Sequence, residues 1–267
     1  MTKQWTRILL VAAVWLVTSV GIAGNAEPSY QGHTLTEWAD QINPEIPYFV
    51  GAEPPAYKAI RHMGTNAIPT ILKWLSTGSL ERARKVYFIL SEDLSPAVPE
   101  LTRLALHLKE YERFDHCVEA LGCIGPAAVP GFNTLLMEGR PEVQISAIKC
   151  LPMLHTSVQE LQPAMVKCML GKDTEVGDTA ASFLGHLEIP HSVLIPALTN
   201  ELRTATVQGR LRIFRCFLYM RPPLSKEDKD ALPYIRAALN DRNPEIANTA
   251  SNILANIETE RIQNKPR

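Results

Sequence analysis

The chain has 267 residues, enough for one sizeable core or for a run of small packed units. With 46% hydrophobic and 21% charged residues, its composition excludes a globally disordered protein. A net charge of −1 excludes a general nucleic-acid binder, which carries a clear basic excess, and five cysteines are too few for a disulfide scaffold of this length.

Residues 1–26 have the order of a secretory signal peptide. Lys3 and Arg7 start it, Ile8–Ala23 carries no charge, and Gly24, Asn25 and Ala26 offer a small-residue exit. An uncleaved anchor through residues 8–23 is the alternative, since sixteen uncharged residues fall just short of the ~20 that span a bilayer. No later run reads as long and apolar enough to cross. The expected location is therefore exported, periplasmic or secreted, or tethered by that segment alone.

Residues 27–53 read as a short capping helix and a loop. Thr34 and Glu37 form a capping box, in which each side chain bonds the other's backbone N–H, and Leu35, Trp38 and Ile42 share one face. Residues 54–258 then alternate two kinds of helix. The first kind carries a stripe at offsets 0, 1, 3, 4 and 7, as in Ala56, Tyr57, Ala59, Ile60 and Met63, or Cys117, Val118, Ala120, Leu121 and Ile124. Gly64 and Gly125 end these two helices, with a left-handed conformation expected at the glycine. The second kind opens on a proline, which lacks an N–H to donate and suits a first turn. Those prolines are Pro69, Pro99, Pro130, Pro163, Pro196 and Pro233, spaced 30, 31, 33, 33 and 37 apart. The stripes begin at residues 56, 83, 117, 147, 180, 211 and 250, so two markers give one period, the mark of a helical solenoid. Residues 259–267 are expected to fray.

The match is best at Leu121-Gly122-Cys123-Ile124-Gly125-Pro126-Ala127-Ala128-Val129-Pro130, followed by Asp173, Val176, Ala180, Ala181, Leu184 and Gly185, and by Asp241, Ile246 and Ala250. In these residues the chain resembles the HEAT-repeat family, over roughly residues 54–258. The resemblance implies an all-α fold, a right-handed α-solenoid of about six HEAT-like helix pairs behind a short N-terminal capping helix. It departs from the family where an Arg is expected after the Val: Gln144, Gly177 and Ala247 stand there.

No nucleotide-binding glycine loop, serine elbow or paired-histidine zinc motif occurs, so no catalytic residue, metal or cofactor is assigned. Cys117 and Cys123, six apart on one helix, lie about 120° off a shared face, which disfavours a metal site with His116. Cys117 and Cys150 fall on apolar stripes, so the cysteines read as reduced core thiols, with a disulfide as the alternative for an exported chain. His186 and His191 flank a corner that reads as a solvated turn. Two residues after each stripe start stand Lys58, Lys85, Glu119, Lys149, Ser182, Ile213 and Asn252. In HEAT-like stacks this helix lines the concave face, so the column implies a ladder of charges along a groove. Arg203, Arg210, Arg212, Arg215 and Arg221 add a basic patch. Lys58, Lys85, Glu119, Lys149, Arg210, Arg212 and Arg215 are thus the candidate partner-binding residues. The function expected is a non-catalytic exported scaffold for a protein or peptide. The alternatives are a bilin-lyase-like HEAT enzyme and a structural module of a cell-envelope assembly.

Overall fold

A computed structural model describes residues 26–42, 53–154, 158–187 and 189–263. The expected signal segment and the loop expected after Ile42 lie outside these residues. The fold is all-α, apart from a two-residue hairpin at the start. Ser29–Tyr30 pairs antiparallel with His33–Thr34, and the turn between them has φ of +51° at Gln31 and +82° at Gly32. Positive φ at both central residues is what a tight two-residue hairpin needs. The composition gave no sign of this hairpin, because Gln seldom takes the first of those positions.

Helix α1 (Leu35–Asp40) starts on the capping box: Thr34 Oγ1 accepts from Glu37 N at 3.3 Å, and Glu37 accepts from Thr34 N at 2.8 Å. Six stripe helices follow, α2 (Pro55–Met63), α4 (Leu80–Leu90), α6 (Tyr111–Ile124), α8 (Pro141–Cys150), α10 (Thr174–His186) and α12 (Val207–Tyr219), and α14 (Pro244–Gln263) closes the series. Between them lie α3 (Ile68–Thr77), α5 (Val98–His107), α7 (Val129–Glu138), α9 (Gln162–Leu170), α11 (His191–Glu201) and α13 (Leu232–Ala238). Proline stands in the first turn of α3, α5, α7, α9 and α13. Pro196 departs from this: it lies inside α11, which starts five residues earlier behind Pro190. The last helix also runs on to Gln263, past the expected limit at residue 258.

Each stripe helix packs on the next, α2 on α4 and so on to α12 on α14. The helices between pack likewise, α3 on α5, α5 on α7 and α7 on α9. The core runs between them through Leu75, Leu104, Val118, Phe132, Ile148 and Leu184, all buried. Among the described residues, residues 111–138 are long and apolar enough to cross a membrane, contrary to the expectation that no such run exists. In the fold that stretch is two helices, α6 and α7, bent at Gly125 and more than half buried.

The corners after α2 and α6 share one backbone shape. Gly64 has φ +50° and ψ −133°, and Gly125 has φ +75° and ψ −139°, each opening a short 3₁₀ turn. The φ is positive as expected, but the ψ is not that of the left-handed helix. It belongs to a region open essentially to glycine alone.

Three arginines fasten corners in the preceding unit. Arg113 Nη1 donates to the carbonyls of Trp74, Leu75 and Gly78 at 3.2–3.4 Å. Arg140 donates to Leu106 O and Leu108 O at 3.2 and 2.6 Å, with its guanidinium 4.5 Å from the Phe114 ring centroid. Arg212 donates to Met169, Gly171, Asp173 and Thr174 carbonyls at 3.0–3.2 Å. Helix C-termini leave carbonyls without intrahelical partners, and a cation there also meets the negative end of the helix dipole.

Candidate functional site

Helix caps fix the register of the face the sequence singles out. Ser79, Glu110, Arg140, Asp173 and Thr206 are the N-caps of α4, α6, α8, α10 and α12. Counting nine residues from each cap gives Phe88, Glu119, Lys149, Ser182 and Arg215. Lys58 belongs with them, because it precedes Gly64 by the interval that separates Glu119 from Gly125. The stripe starts expected at Ala83 and Leu211 are therefore out of register. Ile213, expected in the polar column, is fully buried, and Arg215 takes its place. Lys85 gives way to Phe88, which is 48% exposed.

The seven candidate residues fare differently. Lys58 and Lys149 are exposed. The Lys85 side chain is only 14% exposed and its ammonium meets Glu81 at 2.8 Å. Glu119 is half-buried and accepts from the Tyr87 hydroxyl at 2.8 Å, with His116 Nδ1 3.1 Å from both groups. Burial, then Glu119, push the Tyr87 hydroxyl far above its usual titration range, so it stays a donor. Arg210 pairs with Asp241 at 3.2 Å, and Arg215 lies between Asp178 at 3.7 Å and Glu245 at 2.5 Å. Arg212 is not a surface residue at all. It is 2% exposed, its Nε bonds Asp178 at 2.8 Å, and its remaining donors go to four carbonyls. A guanidinium so fully engaged has no donor left to offer a partner.

A cleft of about 740 Å³ opens beside this face at its N-terminal end. Tyr57 and Arg61 of α2 form one wall; Arg84, Lys85, Phe88 and Ile89 of α4 form the other. Arg61 pairs with Glu53 at 3.2 Å. The Arg84 guanidinium stands 5.9 Å from the Phe88 ring centroid, within reach of a cation–π attraction.

The thiols are not poised as nucleophiles. All five thiols are free, and burial pushes Cys117, Cys123, Cys150 and Cys216 up to about 12 and Cys168 up to about 11. Such thiols stay protonated at neutral pH and are weak nucleophiles. His191, expected in a solvated turn, is instead mostly buried at the start of α11. Its Nδ1 meets Asp228 Oδ1 at 2.9 Å and its Nε2 meets Pro222 O at 3.0 Å. Ser225 bonds Asp228, not the ring, so this trio ties down the segment before α13 and does not form a serine–histidine relay. His186 stacks on Tyr219 with ring centroids 5.5 Å apart.

No protein-family model matches the chain, and no curated protein is significantly similar to it.

Proposed function

We propose that the chain is a HEAT-like helical solenoid that acts as an exported, non-catalytic scaffold, holding a protein or peptide partner along the face that carries Lys58, Glu119, Lys149 and Arg215. The observation that carries this reading is the side-by-side packing of α2, α4, α6, α8, α10 and α12, which repeats one helix position along the molecule. One side chain per unit along such a face is how stacked-helix proteins read extended partners. The spread of charge fits the same reading. Lys58 and Lys149 stand well apart in the stack, with Glu119 held by Tyr87 between them. Arg212 is removed from the binding set, and Phe88 enters it.

The test is affinity capture from an envelope fraction with the full chain as bait. A discrete partner should be enriched, and reversing Lys58, Lys149 and Arg215 to Glu should release it. Finding the native protein only in the cytoplasm would sink the export claim. An envelope capture identical for the wild type and the triple variant would remove this face as the binding surface.

A further inference from the structure

We infer, on the footing of the scaffold reading above, that the cleft between α2 and α4 takes a short acidic segment of a partner protein, one that sets an apolar side chain beside its carboxylates. The cleft has the size of a pocket for a compact ligand group, ~300–1,000 Å³ in general and about 740 Å³ here. Its charge is uneven. Arg61, Arg84, Lys85 and Glu81 line it; Glu81 answers Lys85, and Glu53 answers Arg61. Arg84 has no carboxylate in salt-bridge contact among the described residues, and its guanidinium stands by the Phe88 ring.

Phe88 itself is anomalous. At the position where the neighbouring helices place Lys58 and Glu119, α4 exposes nearly half of a phenyl ring. Aromatic rings beside arginine are the composition of energetically dominant interface patches. A carboxylate would complete Arg84, and an apolar side chain lying on Phe88 and Ile89 would exclude water from that pair, strengthening it. A membrane surface fits less well, because lipid recognition uses dense clusters of cations, and here two of the three are already compensated. Nucleic acid fits less well for the same reason and because the whole chain is slightly acidic.

The probe is a pool of fluorescein-labelled octapeptides in which Asp alternates with Leu, Ile or Phe, beside a matched pool with Asn for Asp. Fluorescence anisotropy on the full chain should show the acidic pool binding about tenfold tighter, the effect of one well-placed charge contact. Arg84→Glu should abolish that preference, and Phe88→Ala should weaken both pools several-fold. Both side chains are exposed, so both variants should melt with the wild type. Equal binding of the two pools, indifference to Arg84→Glu, or no binding of the acidic pool up to about 1 mM overturns the inference. Arg84-dependent binding to phosphatidylserine vesicles without peptide binding overturns it in favour of a membrane. The envelope capture separates this claim from the scaffold reading. A partner retained equally by the Arg84→Glu/Phe88→Ala chain leaves the scaffold standing and removes the cleft. Arg84-dependent peptide binding with no captured partner does the reverse.

Discussion

Arg212 shows how one buried side chain can be mistaken for a surface signal. In sequence it sits among Arg210 and Arg215 and reads as part of a basic patch; in the fold it spends its donors on Asp178 and four carbonyls. Room for it is made by Gly177 on the adjacent helix, where an added Cβ would fall 2.2 Å from the guanidinium carbon. Gly177 is therefore the complement of an arginine supplied from the next stripe helix. Arg212→Ala should cost about 3–5 kcal/mol, since it strands buried carbonyls and leaves a cavity where the side chain lay. Gly177→Ala should cost several kcal/mol in the wild type, because the guanidinium cannot be displaced without losing its bonds. In the Arg212→Ala background the same substitution should be neutral or stabilising by up to about 1 kcal/mol, the helix preference for Ala over Gly. Urea unfolding of the four chains of this cycle measures the coupling, and additive costs would refute the pairing.

At the scale of elements, the glycine corners and the caps carry the most information. Gly64 and Gly125 adopt the same dihedral pair although their surroundings differ: an added Cβ meets nothing within 4 Å at Gly64 and only Leu154 O at 3.6 Å at Gly125. The cost of a side chain there is thus backbone strain and not collision. Gly64→Ala and Gly125→Ala should each destabilise by about 1–3 kcal/mol, measured by chemical denaturation, and near-equal values are expected. A loss below about 0.5 kcal/mol in either would show that the corner relaxes freely. Much of this level was legible beforehand: the capping box at Thr34, the glycine ends and five of the six prolines needed only local chemistry. The register of α4 and α12 is not legible in the stripe, because Ala83 and Leu211 look like stripe starts on composition alone. Ser79 and Thr206, which bond Arg82 N and Gly209 N, were the better guides. Pro196 misled for a similar reason, since a proline inside a helix and one at its first turn look alike in sequence. The clamping arginines were not legible at all. Arg140 is itself a helix cap, whereas Arg113 and Arg212 stand three and six residues past theirs, so one physical need is met from three unrelated positions.

Over the whole molecule, the buried thiols give stability a common pH dependence. Each thiol has its folded pKa raised from an ordinary value near 9 to about 11 or 12 by burial. The folded chain therefore keeps protons that the unfolded chain releases. That contribution is complete below about pH 9 and is lost as pH rises toward the folded values, by up to about 1.4 kcal/mol per pH unit for each thiol. Under reducing conditions the urea midpoint should fall clearly between pH 8 and pH 10; a flat profile would mean the thiols are not held in the core. The candidate face was half visible from sequence. Lys58, Glu119 and Lys149 needed only the period, whereas Phe88 required the true register and the cleft required α2 and α4 to be placed together. The arginine clamps have one more consequence, and it concerns time. All three reach backwards, to carbonyls 32–43 residues nearer the N-terminus. On a ribosome adding about 5–20 residues per second, each of these three corners waits several seconds for the arginine that will close it. Each of these three corners is made open, and it is sealed by sequence that does not yet exist when the corner is made.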